Sequence, residues 1–313
     1  MPYEKDDVRA KLASSGPTGP TATAFSGMEY AKFYETEPQE TGDGFSTWYA
    51  RGQNFVLSYT DLAGEVSFER IAEPEEHVVL LPDTATRAVV TAGEETVDAS
   101  GKRLMIVPPG DSTVTVTGTG RVVRLVRSTA ADLVALAANS DSYETAHENI
   151  PAFERWPNPP EGFKIRSYDL NVPTLAGSNF RLFRCTTFMV NFIEPADGPR
   201  DLHKLSPHFH DDFEQCSLVL NGAYVHHVRW PWTTDRSVWR DDQHEFCGAP
   251  SVAVIPPPSV HTSEAVGTEI NHLVDIFSPP RLDFSNMDGW VLNAADYPMP
   301  VPVAEPVAGA AAV

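Results

Sequence analysis

The sequence holds three cysteines in 313 residues, Cys185, Cys216 and Cys247, an odd number at wide, even spacing. That excludes a disulfide framework and a zinc knuckle, so a reducing cytoplasm is the expected compartment. Basic residues are scarce: 23 Lys and Arg stand against 43 Asp and Glu, a formal charge of -20. A surface that acidic repels phosphate backbones and anionic lipid, which argues against nucleic acid and membranes as partners. No apolar run reaches the length of a bilayer span. The opening "MPYEKDDVRAKLASSGPTGPTATAF" mixes charges early and never builds the apolar run of a secretory signal. Helical periodicity is nearly missing as well.

Short β-type runs fill the chain instead. "HVVLL", "RAVVTAG", "STVTVTG", "RVVRLV", "FMVNF", "CSLVLNG", "AYVHHVRW", "SVAVIP" and "HLVDIF" are rich in β-branched and aromatic residues and end at Gly, Pro, Asn or Asp. Spacing of this kind specifies a sandwich or barrel. One helix is expected, "STAADLVALAAN" (128–139), with Ser128 or Thr129 as its N-cap. The proline-rich stretch 151–162 that follows reads as a linker.

The two halves are alike. "RGQNFVLSY" (51–59) aligns with "RCTTFMVNF" (184–192), Gly93 with Gly222, and Pro108 with Pro256, in that order. The second half carries an insertion, residues 229–246, with Trp230, Trp232 and Trp239. Its tryptophans would serve either as a lid over a ring or as packing and subunit-contact residues. A tandem duplication accounts for the pattern. In this alignment Val79, Leu81, Thr86 and Thr113 stand where His208, His210, Gln215 and His261 stand, so the first half is expected to hold no metal at that position.

The second half offers metal-ligand chemistry. His208 and His210 are two apart, so on a strand both project from one face and can share an ion. A further ligand would come from the next strand, either Gln215 or Glu214; register favours Gln215, but strand parity alone does not say which face is inward. His261 completes the set. Three imidazoles and a neutral amide leave a divalent ion its full charge, suited to polarising a carbonyl or holding an enolate. Histidines on apolar strands also occur as satisfied core residues, an open reading for His203, His226, His227, His244 and His272.

These motifs resemble those of the cupins: His208-Phe209-His210, Gly222 and the run Pro256 to His261 follow the family's two motifs, with Pro258 where the family has glycine. The resemblance covers roughly residues 180–284. With the duplication it implies an all-β bicupin, two tandem jelly-roll barrels joined by one short helix. The expected division is an N-terminal arm (1–40), a degenerate barrel without metal ligands (41–128), a helix and linker (129–165), a metal-binding barrel (166–290) and a tail (291–313). "HFHDDFEQ" together with "DIFSPPRLDF" is similar to the small cupins that linearise unsaturated uronates from pectin and alginate. That likeness implies Gln215 as a ligand, and Asp275, Phe277 and Arg281 as pocket residues, with Arg281 offering a planar fork to a carboxylate. Arg281 could equally serve a salt bridge in a barrel-closing turn.

The resulting expectation is one divalent ion per chain (Zn, Fe, Mn or Ni) and a lyase, isomerase or hydratase acting on a small carboxylate such as a sugar acid. An iron dioxygenase on the same ligands and a ligand-binding bicupin without turnover are the alternatives. Sheet edges and a terminal arm such as "VPVAEPV" suggest a homodimer.

Overall fold

The computed structural model describes residues 25–174, 177–233 and 235–300. Most of the N-terminal arm (1–24) and the end of the tail (301–313), including the "VPVAEPV" arm expected at a dimer contact, lie outside the described residues. Among the described residues nineteen strands build two barrels. The first uses β2 (Glu40–Gly42), β3 (Phe45–Arg51), β4 (Phe55–Glu73), β5 (His77–Leu81), β6 (Thr86–Ala92), β7 (Glu95–Ser100), β8 (Arg103–Val107) and β9 (Gly110–Arg127). The second uses β11 (Leu182–Arg184), β12 (Met189–Phe192), β13 (Ala196–Asp197), β14 (Glu214–Asn221), β15 (Ala223–Arg229), β16 (Gln243–Gly248), β17 (Ser251–Ile255), β18 (Val260–Ala265) and β19 (Ile270–Ser278). No helix among the described residues is long and apolar enough to cross a membrane.

The two barrels share one pairing scheme. β5 lies between β8 and β9, as β14 lies between β17 and β19. β6 lies between β7 and β9, as β15 lies between β16 and β18. In each barrel one sheet edge is covered by a strand that precedes the other barrel. β1 (Glu29–Lys32) adds to β17 of the second barrel, and β10 (Arg166–Asp169) adds to β8 of the first. Unpaired edge N–H and C=O groups are the reason such a crossover forms. It also moves the expected boundaries: residues 29–32 belong to the second barrel's sheet and 166–169 to the first's.

Alternation along β14 decides what faces where. Cys216, Leu218 and Leu220 join Ile276, Val274, Val252 and Val254 in a core that also contains Leu57, Val78, Leu80, Leu104 and Leu125 of the first barrel. That face is the seam between barrels. Gln215, Ser217 and Val219 point the other way, into the second barrel. Asn221-Gly222 turns the chain into β15. Gly222 has φ +77° and a Cβ there would meet the Asn271 side chain at 2.2 Å, so only glycine fits.

Two expectations change at the seam. The helix is shorter than its sequence pattern, Ala131–Leu136, and no side chain caps it. Ser128 spends its hydroxyl on the Gln53 carbonyl at 2.7 Å instead, fastening the helix entry to the first barrel's turn. All three cysteines are free and buried.

The start of the tail is clamped, and the clamp is duplicated. Asn293 accepts from Arg184 N at 2.9 Å and donates to Arg184 O at 2.8 Å. Asn139 does the same for Arg51, at 2.9 Å each way. Both arginines stand at the start of the turns matched in the sequence alignment, 51–54 and 184–187. The buried Glu76 accepts from Thr186 N (2.9 Å), Thr186 Oγ1 (2.8 Å) and Tyr297 Oη (2.8 Å). The buried Glu214 accepts from Gln53 N (2.9 Å) and Asn54 N (3.0 Å). Each barrel therefore seats one glutamate in the other barrel's turn.

Candidate metal and substrate site

The segment 206–210 runs beside β18. His208 and His261 exchange backbone hydrogen bonds, His208 N to His261 O at 3.1 Å and His261 N to His208 O at 2.8 Å. A directly paired couple shares a sheet face, and the two imidazole centroids lie 4.5 Å apart. Each ring is set by the carbonyl two residues earlier: His208 Nδ1 contacts Ser206 O at 2.9 Å and His261 Nδ1 contacts Ser259 O at 3.0 Å. A carbonyl can only accept, so both Nδ1 atoms carry a proton, which in a neutral ring leaves the lone pair on Nε2. This is the outer-shell arrangement that orients ligating histidines.

Gln215 meets them from β14. Its Nε2 donates to Ser217 Oγ (3.2 Å) and Asp275 Oδ1 (3.3 Å), which aims Oε1 at His261 Nε2, 3.3 Å away. Two acceptors face each other there, an arrangement a cation would satisfy. His210 is buried, its centroid 5.1 Å from that of His261, and neither of its ring nitrogens has a partner. Burial and the neighbouring histidines lower its pKa to about 2, and burial lowers that of His261 to about 3, so both rings are neutral. His210 lies flat on Phe213, with ring centroids 3.9 Å apart. Among the described residues no three His, Cys, Asp or Glu side chains converge into a metal cage as they stand. The donor chemistry fits a divalent ion all the same: neutral imidazoles, an amide oxygen and orphaned buried nitrogens.

Glu214 sits apart from this group. Its place on the opposite face of β14, bonded across the seam, removes it as the fourth ligand.

The site opens into a cavity of ≈ 390 Å³ lined by His208, His261, Tyr224, Asp275, Phe277 and Arg281, among others. Asp275 is cross-strand from Ser217, whose hydroxyl donates to its Oδ1 at 2.6 Å. Burial raises the Asp275 pKa above the usual carboxylate range, against the pull of the Ser217 hydroxyl and the Arg281 guanidinium. Phe277 faces Gln215 in the ladder. Arg281 combines both roles its sequence left open. Its guanidinium donates to Asp283 through Nε (3.0 Å) and Nη2 (2.6 Å), yet it lines the cavity, lying 3.4 Å from the Phe284 ring centre and 4.9 Å from those of Phe213 and Phe277.

None of the described residues of the insertion lines this cavity. Trp230 is buried beside Phe25 and Met28, and Trp232 stacks on Trp239 at 4.7 Å. The remaining histidines divide: His226 is buried and bonded to Ser263 Oγ, His227 bridges His244 and Glu264, and His272 packs edge-on to Phe192.

The ladders also correct the alignment in the first barrel. Val79 lies across from Met105 and Arg124, the place Ser217 holds across from Ala253 and Asp275. His77 therefore stands where Gln215 stands. Ser112, paired with Arg70 and Ala92, occupies the place of His261, paired with His208 and Val228; Thr113 is on the outer face. Leu81 lies in the first barrel's apolar interior, and Thr86 opens β6. Gly93 and Gly222 are not equivalent, because Gly93 turns β6 into β7 whereas Gly222 turns β14 into β15; on β5 and β14 the offset is 215 − 77 = 138 rather than the 129 of that glycine pair, and at Ser112 and His261 it is 149 rather than 148. A cation there would meet the guanidinium groups of Arg70 and Arg124.

No protein-family model matches the sequence, and no curated protein matches it. Solved structures do match. Oxalate decarboxylase of Lactobacillus farciminis in a formate complex superposes with TM-score 0.55 at 13% identity, over 82% of this chain and 88% of that one. A mutant of the Bacillus subtilis oxalate decarboxylase gives TM-score 0.54 at 15% identity, over 82% and 79%. AerE from Microcystis aeruginosa gives 0.53 at 10% identity, over 78% and 97%. The fold is that of a bicupin, two tandem cupin barrels in one all-β chain.

Proposed function

We propose that the second barrel is a metal-dependent lyase or isomerase site for a small carboxylate, with an unsaturated uronate as the best-fitting substrate class. The observation that carries this reading is Gln215: one side chain donates to the Asp275 carboxyl and turns its oxygen toward the His261 nitrogen, so ligand set and proton-moving group adjoin through it. His208, His210, Gln215 and His261 would hold the ion. When bound, a divalent ion supplies a Lewis acid for a carbonyl, hydroxyl or enolate oxygen. Asp275, steadied by Ser217, takes the proton. Arg281 retains donor capacity beyond its bond to Asp283 and receives the carboxylate. Phe277 and Phe284 keep water from the reacting carbon. The similar structures include oxalate decarboxylases, so chemistry on a small carboxylate has precedent on this architecture.

The test is metal analysis of protein purified without added metal or chelator, for wild type and His208→Ala/His261→Ala. It is coupled to loss of the ultraviolet band of 4,5-unsaturated galacturonate and to an oxygen electrode. About one ion per chain, absent from the double variant, with turnover and no oxygen uptake is the expected result. Oxygen consumption with ferrous iron would replace the reading with a dioxygenase. No ion even after reconstitution would overturn both.

A further inference from the structure

We propose that Tyr224 is the acid of this site, delivering a proton to substrate carbon from the wall opposite Asp275; the assignment rests on the isomerase reading above. A base alone leaves proton transfer half done, because linearising an unsaturated uronate removes a proton from one atom and adds one to another.

Tyr224 stands on β15, in the three-stranded wall β16–β15–β18, whereas Asp275 stands on the wall that contains β14 and β19. Its ring packs against Val219, Leu273 and Ala265. Val219 and Leu273 are paired to each other, two residues along from Ser217 and Asp275, which are also paired. Same-face neighbours on a strand repeat every two residues, about 6.6 Å, so the Tyr224 ring rests one pleat from the Ser217–Asp275 couple. Tyr224 is 7% exposed and lines the cavity. Among the described residues its hydroxyl makes no hydrogen bond, and it is not sealed off as a buried orphan.

The other ionisable groups of the cavity are committed elsewhere. His208 and His261 belong to the proposed ligand set, Arg281 and Arg200 are permanent cations, Glu194 is paired with Arg181, and Asp197 is exposed. Burial and the Asp275 charge push the Tyr224 hydroxyl up, which keeps it protonated at neutral pH.

The step balances as an isomerisation. Asp275 takes the proton of the anomeric O1–H as the O1 pair forms the C1 carbonyl and the C1–O5 bond breaks. The enolate so formed at O5 becomes the C5 ketone as C4 takes the Tyr224 proton. The proton on Asp275 then returns to the phenolate. Nothing is oxidised or reduced.

The experiment follows 4,5-unsaturated galacturonate in D2O with metal-loaded wild type and Tyr224→Phe, reading rate, KM and the stereochemistry of deuterium at C4. Wild type should place one deuteron on one face. Tyr224→Phe should keep its metal content and a KM near wild type, lose about 10²- to 10⁴-fold in kcat, and scatter the remaining deuterium over both faces. Unchanged rate with single-face delivery overturns the assignment and leaves the isomerase reading standing. No turnover by wild type overturns both. Should the Phe variant fail to fold, 3-fluorotyrosine at 224 keeps the ring and strengthens the acid; kcat should then move at constant KM, and an unmoved kcat overturns the assignment.

Discussion

Glu214 and Gln215 are adjacent in sequence and face opposite sides of β14: Gln215 reaches His261 and Asp275 inside the barrel, and Glu214 reaches Gln53 and Asn54 in the other barrel. One strand thus serves the site with one face and the seam with the other.

Substitutions at the pair should separate accordingly. Gln215→Ala should lower metal affinity by about 10- to 100-fold, read by competitive chelation, as loss of a ligand or its orienting partner does. Glu214→Ala should leave metal content intact and cost about 1–3 kcal/mol in denaturant unfolding, because two buried N–H groups lose their acceptor. Equal metal loss in both would contradict the division.

The matching glutamate should behave as part of the clamp. Glu76→Ala and Thr186→Val each remove one side of a buried contact, and their effects should be less than additive in a double-mutant cycle, with a coupling of about 0.5–3 kcal/mol. Additive losses would show that Glu76 and Thr186 act separately.

Acid should weaken the first barrel through His77. Burial, with Arg124 and Arg70 nearby, lowers its pKa from 6.5 to about 3. The folded state then resists a proton that the unfolded chain accepts. The contribution is full above pH 6.5 and is lost as pH falls from 6.5 towards 3. At pH 5 the loss is about 2 kcal/mol. His77→Leu should flatten that limb of the unfolding free energy against pH; an unchanged limb would assign it to other groups.

Arg281→Lys should raise KM for the uronate by about tenfold or more, since an ammonium loses the planar fork and the stacking on Phe284. Arg281→Ala should raise it further. An unmoved KM would leave Arg281 as the partner of Asp283 alone.

Composition and pattern already determined much of this protein. The β-branched runs ending at turn residues define an all-β chain, and the repeat of "RGQNF" in "RCTTF" marks the duplication, because alternation and turn chemistry are local properties. The spacing of His208, His210 and His261 singled out the histidines for the same reason. Tertiary structure decided the rest. Which face of β14 points inward depends on the neighbouring barrel, whose apolar face claims Cys216, Leu218 and Leu220 and leaves Gln215 to the interior of its own barrel, against His261 and Asp275. The crossover of residues 29–32 and 166–169 depends on edges that exist only once both barrels are built. The clamps of Asn139 and Asn293, and the approach of Tyr224 to Asp275 from an opposing wall, join residues far apart in the chain, so no local spacing encodes them.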